Sequence, residues 1–148
     1  MITSDFTTTI LLDQTPAAAF EAIKNPQDWW SGEIKGSAEK LNDEFTYRYK
    51  DLHFSKQRIV EMIPNQKVVW LVTESIINYV EDKSEWTGTK ISFEISEHGN
   101  RTQLRFSHLG LVPQIECFDD CSTSWSKLIR QSLFSLITTG KGEQIILA

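Results

Sequence analysis

Alternation of apolar and polar residues is the dominant pattern over the first two thirds of the chain. In the clearest case, Phe45, Tyr47 and Tyr49 alternate with polar residues. Successive side chains of a strand point to opposite sides of a sheet, so this period of two predicts strands with one buried face. Two pairs of turn residues, Pro64-Asn65 and Gly99-Asn100, separate such runs and predict two hairpins. The predicted strands are Phe6–Asp13, Glu44–Lys50, Gln57–Ile63, Lys67–Thr73, Thr89–Ser96 and Thr102–His108.

The apolar period changes near Pro113, after which apolar residues recur at steps of three and four. This spacing predicts one uninterrupted helix from about Gln114 to Thr138, roughly 37 Å long. Gly140 follows it as a typical helix end. A single apolar stripe on so long a helix needs a broad surface to bury it, which a curved sheet supplies. The stripe consists of Phe118, Cys121, Trp125, Leu128, Ile129, Leu133 and Leu136.

Two short helices are predicted between the first two strands. Thr15 is a helix cap and Pro16 a first helical residue, so a helix begins there and runs to about Lys24. Pro26 begins a second piece over Gln27–Trp30. The residues 74–88 continue the preceding strand irregularly and turn near position 82. The chain therefore predicts one α+β domain over residues 1–148, with six or seven antiparallel strands curved around a long C-terminal helix.

Composition narrows the function classes. A net charge of −5 disfavours a nucleic-acid partner, which usually requires a basic face. No apolar run approaches the roughly 20 residues of a membrane span. The N-terminal residues lack a secretion-signal pattern. The two cysteines, which are poorly spaced for a disulfide, predict a reduced, cytoplasmic setting. Cys117 and Cys121 have a spacing that suits neither a disulfide nor a known metal motif, so both are expected to be reduced. No metal, cofactor or catalytic residue is predicted.

The order of elements and several local motifs resemble the START-like (SRPBCC, helix-grip) superfamily. Within it, the chain is similar to the branch of the activator of heat-shock-protein-90 ATPase. The motifs are Thr15-Pro16-Ala17-Ala18-Ala19-Phe20 with Trp29-Trp30, Glu61-Met62-Ile63-Pro64 with Val68-Val69-Trp70, Glu85-Trp86-Thr87-Gly88-Thr89, Phe106-Ser107-His108-Leu109-Gly110-Leu111 and Thr139-Gly140-Lys141-Gly142. The resemblance implies a hydrophobic cavity between sheet and helix. Members include lipid carriers, cyclases, hydrolases and co-chaperones, so the fold does not choose a function.

Strand parity identifies the side chains that face the helix. These residues form either a ligand pocket or an ordinary core whose polar groups are satisfied internally. The expected ligand-binding residues are Tyr47, Trp70, Phe93, Phe106, His108, Trp125 and Ile129. On the neighbouring strand, the same parity places Arg58, Val60 and Met62 on one face, with the arginine reaching water.

Three residues have alternative interpretations. His108 is either a general base in the cavity or a buried histidine bonded to a backbone carbonyl or a tyrosine. His53 shares the parity of Tyr47 if no bulge intervenes, and Asp51, two residues earlier, could orient its imidazole; exposure to solvent at a strand end is the expected alternative. Trp86 is either a lid over the cavity or an anchor for the charged turn beside it.

Three functions compete. The first is binding of a small hydrophobic molecule, the second is catalysis on such a molecule with His108 as the acid–base group, and the third is interaction with a chaperone partner. The oligomeric state is open between monomer and dimer. The apolar tail Ile145-Ile146-Leu147 either folds back over Phe134 or forms a patch shared between two chains.

Overall fold

A computed structural model describes residues 5–143, which form a seven-stranded antiparallel sheet with a long helix packed against it. The strands are β1 (Phe6–Leu12), β2 (Glu33–Gly36), β3 (Glu44–Tyr49), β4 (His53–Ile63), β5 (Lys67–Ile77), β6 (Lys90–His98) and β7 (Arg101–Leu109). The helical elements are α1 (Pro16–Ile23), a 3-10 turn (Pro26–Asp28) and α2 (residues 118–139), in which a π-helical segment (Leu128–Leu133) separates two α-helical segments (Phe118–Lys127 and Phe134–Thr139). The predicted helix-grip architecture is confirmed.

The sheet has the strand order β1-β7-β6-β5-β4-β3-β2. Strands β2 to β7 are neighbours in both sequence and space, whereas β1 pairs with β7 and places Phe6 opposite His108. Strand β2 was not predicted, because it has four residues and its only large apolar residue is the half-buried Ile34. It pairs with β3 at the edge of the sheet and supplies the seventh strand.

Two register shifts lie between β4 and β5, at Lys56/Gln57 and at Ile59/Glu61. A bulge places an extra residue in one strand and reverses which side chains face inward beyond it. As a result Ile59 is fully buried and Val60 is only half-buried, so the inward parity predicted for Val60 is wrong. Arg58 is exposed, as expected.

Helix α2 begins at Phe118 rather than at Gln114, and the residues between Pro113 and Phe118 form turns. The Glu85 carboxylate accepts hydrogen bonds from the backbone N–H groups of Glu116 (2.9 Å) and Cys117 (3.3 Å). These bonds satisfy donors that a helix start leaves unpaired, and they fix the start of α2 from a distant segment.

The end of α2 matches the sequence prediction closely. The helix closes on Gly140 in the left-handed conformation, with φ of 89°. Phe134 is 37% exposed on its outer surface. The predicted contact between Phe134 and the tail at 145–147 lies outside the described residues.

Aromatic side chains fill the interior between α2 and the middle of the sheet. Trp30 stacks on Tyr47 with ring centroids 4.0 Å apart and lies 5.1 Å from Trp125. Trp29 stacks on Trp70, and the Ser132 hydroxyl donates a 2.6 Å hydrogen bond to the Trp29 carbonyl. The paired indoles after α1 therefore link sheet to helix and leave this part of the interior densely packed.

Candidate ligand cavity

A cavity of about 630 Å³ opens at the end of the sheet where β3 turns into β4, beside the first turns of α2. Its volume lies within the range of small-molecule sites. The lining residues are Tyr47, Tyr49, Leu52, His53, Tyr79, Trp86, Asp120, Cys121, Thr123, Ser124, Trp125, Lys127 and Leu128. Aromatic rings dominate the walls, and charged groups enter only from the outer face of α2.

Three large aromatic residues form the inner part of the wall. Trp86 and Trp125 are nearly parallel, at 14° and 5.8 Å between ring centroids. Tyr47 lies on Trp30, and its hydroxyl donates a 2.9 Å hydrogen bond to the Ser31 carbonyl. Burial raises the pKa of Tyr47, so the phenol stays neutral at physiological pH. This wall is suited to a flat apolar ligand.

Trp86 is an anchor inserted into the interior rather than an exposed lid. Its ring is 4% exposed and lies between the two histidines, with centroids 4.3 Å from His53 and 4.7 Å from His108. Its indole Nε1 is buried and has no hydrogen-bond partner among the described residues. The segment 78–88 therefore forms one side of the cavity with the buried Trp86 and the more exposed Tyr79.

His108 lies behind Trp86 in a complete hydrogen-bond network. The Trp125 indole N–H donates to Nδ1 at 3.1 Å, which leaves the proton on Nε2. That N–H donates to Thr89 Oγ1 at 2.8 Å, and the Thr89 hydroxyl donates to the Trp86 carbonyl at 2.6 Å. Burial, with a smaller contribution from His53, lowers the pKa of His108 to about 3. His108 is thus a neutral core residue with both ring nitrogens hydrogen-bonded. Its partners are Trp125 and Thr89, instead of the backbone carbonyl or tyrosine that the sequence predicted.

His53 is the histidine that lines the cavity. Strand β4 begins at His53, four residues earlier than predicted, so its ring packs against Trp86 and Tyr47 instead of extending into solvent. Its Nε2 atom is buried and has no hydrogen-bond partner among the described residues. Burial lowers the pKa of His53 to about 4, which keeps the imidazole neutral. The expected exposure of His53 was therefore wrong.

A sulfur pair lies in the wall next to α2. Cys121 lines the cavity, and its Sγ lies 2.7 Å from that of Cys117 and 3.8 Å from the Tyr79 hydroxyl. Both cysteines are free thiols. Within residues 5–143, no group of three or more His, Cys, Asp or Glu side chains is placed to hold a metal ion.

The predicted ligand-binding residues divide into two groups. Tyr47 and Trp125 line the cavity. His108 is separated from it by Trp86, and the others are fully buried in the packed interior: Trp70, Phe93, Phe106 and Ile129. The cavity lies nearer the open end of the sheet than predicted, because Trp29 and Trp30 fill the centre. Ligand contact by these seven residues stays a prediction.

Sequence reasoning missed His53, Tyr79 and Leu52 as lining residues. For His53, the pair Asp51-x-His53 was a usable signal, but the direction of the His53 side chain depended on where β4 begins. Tyr79 belongs to the irregular segment after β5, for which no periodicity predicts a direction.

No family model matches the chain, and no curated protein is significantly similar to it in sequence. No helix within the described residues is long and apolar enough to cross a membrane. Solved structures do match. The Aha1 dimer from Colwellia psychrerythraea is 25% identical, with a TM-score of 0.75, over 96% of this chain and 100% of that one.

Two further structures share the fold. Protein SSP2350 from Staphylococcus saprophyticus is 15% identical with a TM-score of 0.70, over 97% of this chain and 98% of that one. Protein MLL2253 from Mesorhizobium loti is 12% identical with a TM-score of 0.68, over 88% of this chain and 95% of that one. The chain has the START-like, helix-grip fold, and its likeness to the Colwellia protein confirms the predicted resemblance to the Aha1-related branch.

Proposed function

We propose that this protein binds a small, uncharged, largely apolar molecule in the cavity between α2 and the β3–β4 end of the sheet. The observation that carries the proposal is the aromatic cavity of about 630 Å³, whose wall includes the neutral imidazole of His53. Trp86, Trp125 and Tyr47 offer ring faces for an apolar body. The cytoplasmic setting expected from the free cysteines is part of the same proposal.

The state of His53 defines the polar end of the ligand. The neutral ring offers no charge to an anion, because burial holds its pKa at about 4. Lys127 and Asp120 also line the cavity and carry opposite charges, so the lining has no net charge. An alcohol, phenol or ketone therefore fits the wall better than a carboxylate or phosphate.

A cavity-filling variant tests the proposal. Ser124 is a half-buried lining residue on α2, so Ser124→Trp should fill the opening without disturbing the packed interior. Gln131, which is exposed on the same helix and is not a lining residue, provides the control Gln131→Trp. With Nile red as a neutral probe, we expect binding by the wild type and the control and at least tenfold weaker binding by Ser124→Trp, a loss of about 1.4 kcal/mol.

Equal dye affinity in Ser124→Trp and Gln131→Trp, with both variants folded by circular dichroism, would reject the cavity as the binding site. Mass spectrometry of the protein purified under native conditions identifies the natural ligand. Retention of charged molecules only would contradict the proposed ligand class.

Catalysis by His108 receives no support from this geometry. Both ring nitrogens are bonded to protein groups, and Trp86 separates the ring from the cavity. A proton acceptor must lie within hydrogen-bond reach of its substrate. Turnover that survives His108→Gln would agree with this view.

A second proposal is interaction with heat-shock protein 90. Its support is the full-length likeness to the Colwellia Aha1 structure at 25% identity. Purified chaperone incubated with this chain should hydrolyse ATP faster than the chaperone alone. An unchanged ATPase rate at saturating chain would refute the proposal.

A further inference from the structure

Cys117 and Cys121 form an unusually close thiol pair at the start of α2. Their sulfur atoms lie 2.7 Å apart. One helical turn separates their Cα atoms by about 6 Å, which is within the span of a disulfide. The sequence spacing predicts no disulfide, but the structure brings both sulfur atoms close to one another.

The two thiols differ in their access to the cavity. Cys121 belongs to the cavity wall, whereas Cys117 is 1% exposed and lies behind it. A small reagent that enters the cavity therefore meets Cys121 first. Because the sequence contains two cysteines, Cys117 is the only other cysteine in the chain that can then react with an oxidised Cys121.

The surroundings favour negative charge on Cys121 over Cys117. The sulfur contact with Cys117 lowers the pKa of Cys121, burial opposes this shift, and the Tyr79 hydroxyl adds to the lowering. The same sulfur contact and burial raise the pKa of Cys117. Asp120 faces Cys121 and Glu85 faces Cys117, so neighbouring carboxylates oppose ionisation of both sulfurs. The thiolate is the nucleophilic form of cysteine, which makes Cys121 the sulfur that reacts first.

We propose that Cys117 and Cys121 form a reversible dithiol–disulfide centre in the wall of the cavity, with a small hydroperoxide as oxidant and Cys121 as the sulfur oxidised first. This centre is independent of whether an apolar ligand binds in the same cavity.

The chemistry balances in two steps. The Cys121 thiolate attacks hydrogen peroxide, so a sulfur–oxygen bond forms, the oxygen–oxygen bond breaks, and hydroxide leaves and takes the thiol proton to become water. The Cys117 thiol then attacks the sulfenic sulfur of Cys121, forming the disulfide and releasing a second water. Two thiols lose two electrons and two protons, and one peroxide becomes two waters. An added dithiol reverses the oxidation by thiol–disulfide exchange.

Thiol titration and peptide mass spectrometry of the full chain test the centre. Trypsin cleavage after Arg105 and Lys127 releases both cysteines in one peptide. After hydrogen peroxide treatment, we expect both free thiols to disappear, the peptide mass to fall by two hydrogens, and dithiothreitol to restore both. Persistence of both thiols, or a disulfide joining two chains instead, would overturn the proposal.

Single variants test the order of reaction. In Cys117→Ser, a cyclic 1,3-dione should label a sulfenic acid on Cys121; in Cys121→Ser, Cys117 should stay unlabelled. Labelling of Cys117 as fast as that of Cys121 contradicts the assigned roles. Treatment of the wild-type chain with a limiting amount of iodoacetamide tests the same order without a variant. Fragment ions of the peptide should show that Cys121 is alkylated before Cys117, and the opposite order would overturn the assignment.

Discussion

Glu85 connects the segment 78–88 to the start of α2, and its substitution measures how much this connection stabilises the fold. Its carboxylate accepts two backbone N–H groups, from Glu116 and Cys117, at 2.9 and 3.3 Å. Loss of a helix cap costs about 0.5–2 kcal/mol, and bonds to a charged acceptor lie at the upper end. Because Glu85 is half-buried and makes two such bonds, we expect Glu85→Ala to lower the free energy of unfolding by about 2 kcal/mol.

Urea unfolding followed by circular dichroism measures this change. With a denaturant slope of about 2 kcal/mol per molar, the midpoint should fall by about 1 M in Glu85→Ala. Glu85→Gln retains one acceptor oxygen and should lose about half as much. Glu81→Ala is the matched control, since this exposed residue on the same segment contributes only its backbone N–H, which bonds Glu116. Equal midpoints for Glu85→Ala and Glu81→Ala would refute the capping role.

Two further predictions concern the histidines. Trp125→Phe removes the donor to His108 Nδ1 and should lower the free energy of unfolding by about 1–3 kcal/mol. Urea unfolding measures this change, and a midpoint equal to that of the wild type would contradict the assigned tautomer. Burial lowers the pKa of His53 to about 4 and of His108 to about 3, so unfolding takes up protons in acid. The free energy of unfolding should therefore be constant above about pH 6.5 and fall as the pH is lowered towards 4, with a smaller fall in His53→Phe. A urea midpoint that does not depend on pH would refute this.

Periodicity predicted most of the sheet because six of its strands have one buried face. In β6 and β7, every residue assigned inward by parity is buried, including Phe93 and Phe106. The same reasoning failed at Val60, because a bulge is a property of the pairing between two strands and not of either strand alone. The start of α2 was misplaced for a similar reason, since Glu85 fixes it from 31 residues away.

The position of the cavity could not be predicted from periodicity. It depends on the inward turn of Trp29 and Trp30, which belong to a short irregular connection without a repeating pattern. His53 became a lining residue because β4 begins four residues earlier than its alternation indicated. Tertiary packing decided both outcomes.

The stacked position of Trp30 has a consequence for how the depth of the cavity can change. Its ring lies behind two wall residues, Tyr47 at 4.0 Å and Trp125 at 5.1 Å, and so sets the depth of the cavity. Truncation to alanine would extend the cavity towards Trp70, at a cost of about 3–5 kcal/mol in stability. One codon thus separates a shallower cavity from a deeper one, and tolerance of the stability cost determines whether the change is accessible to selection.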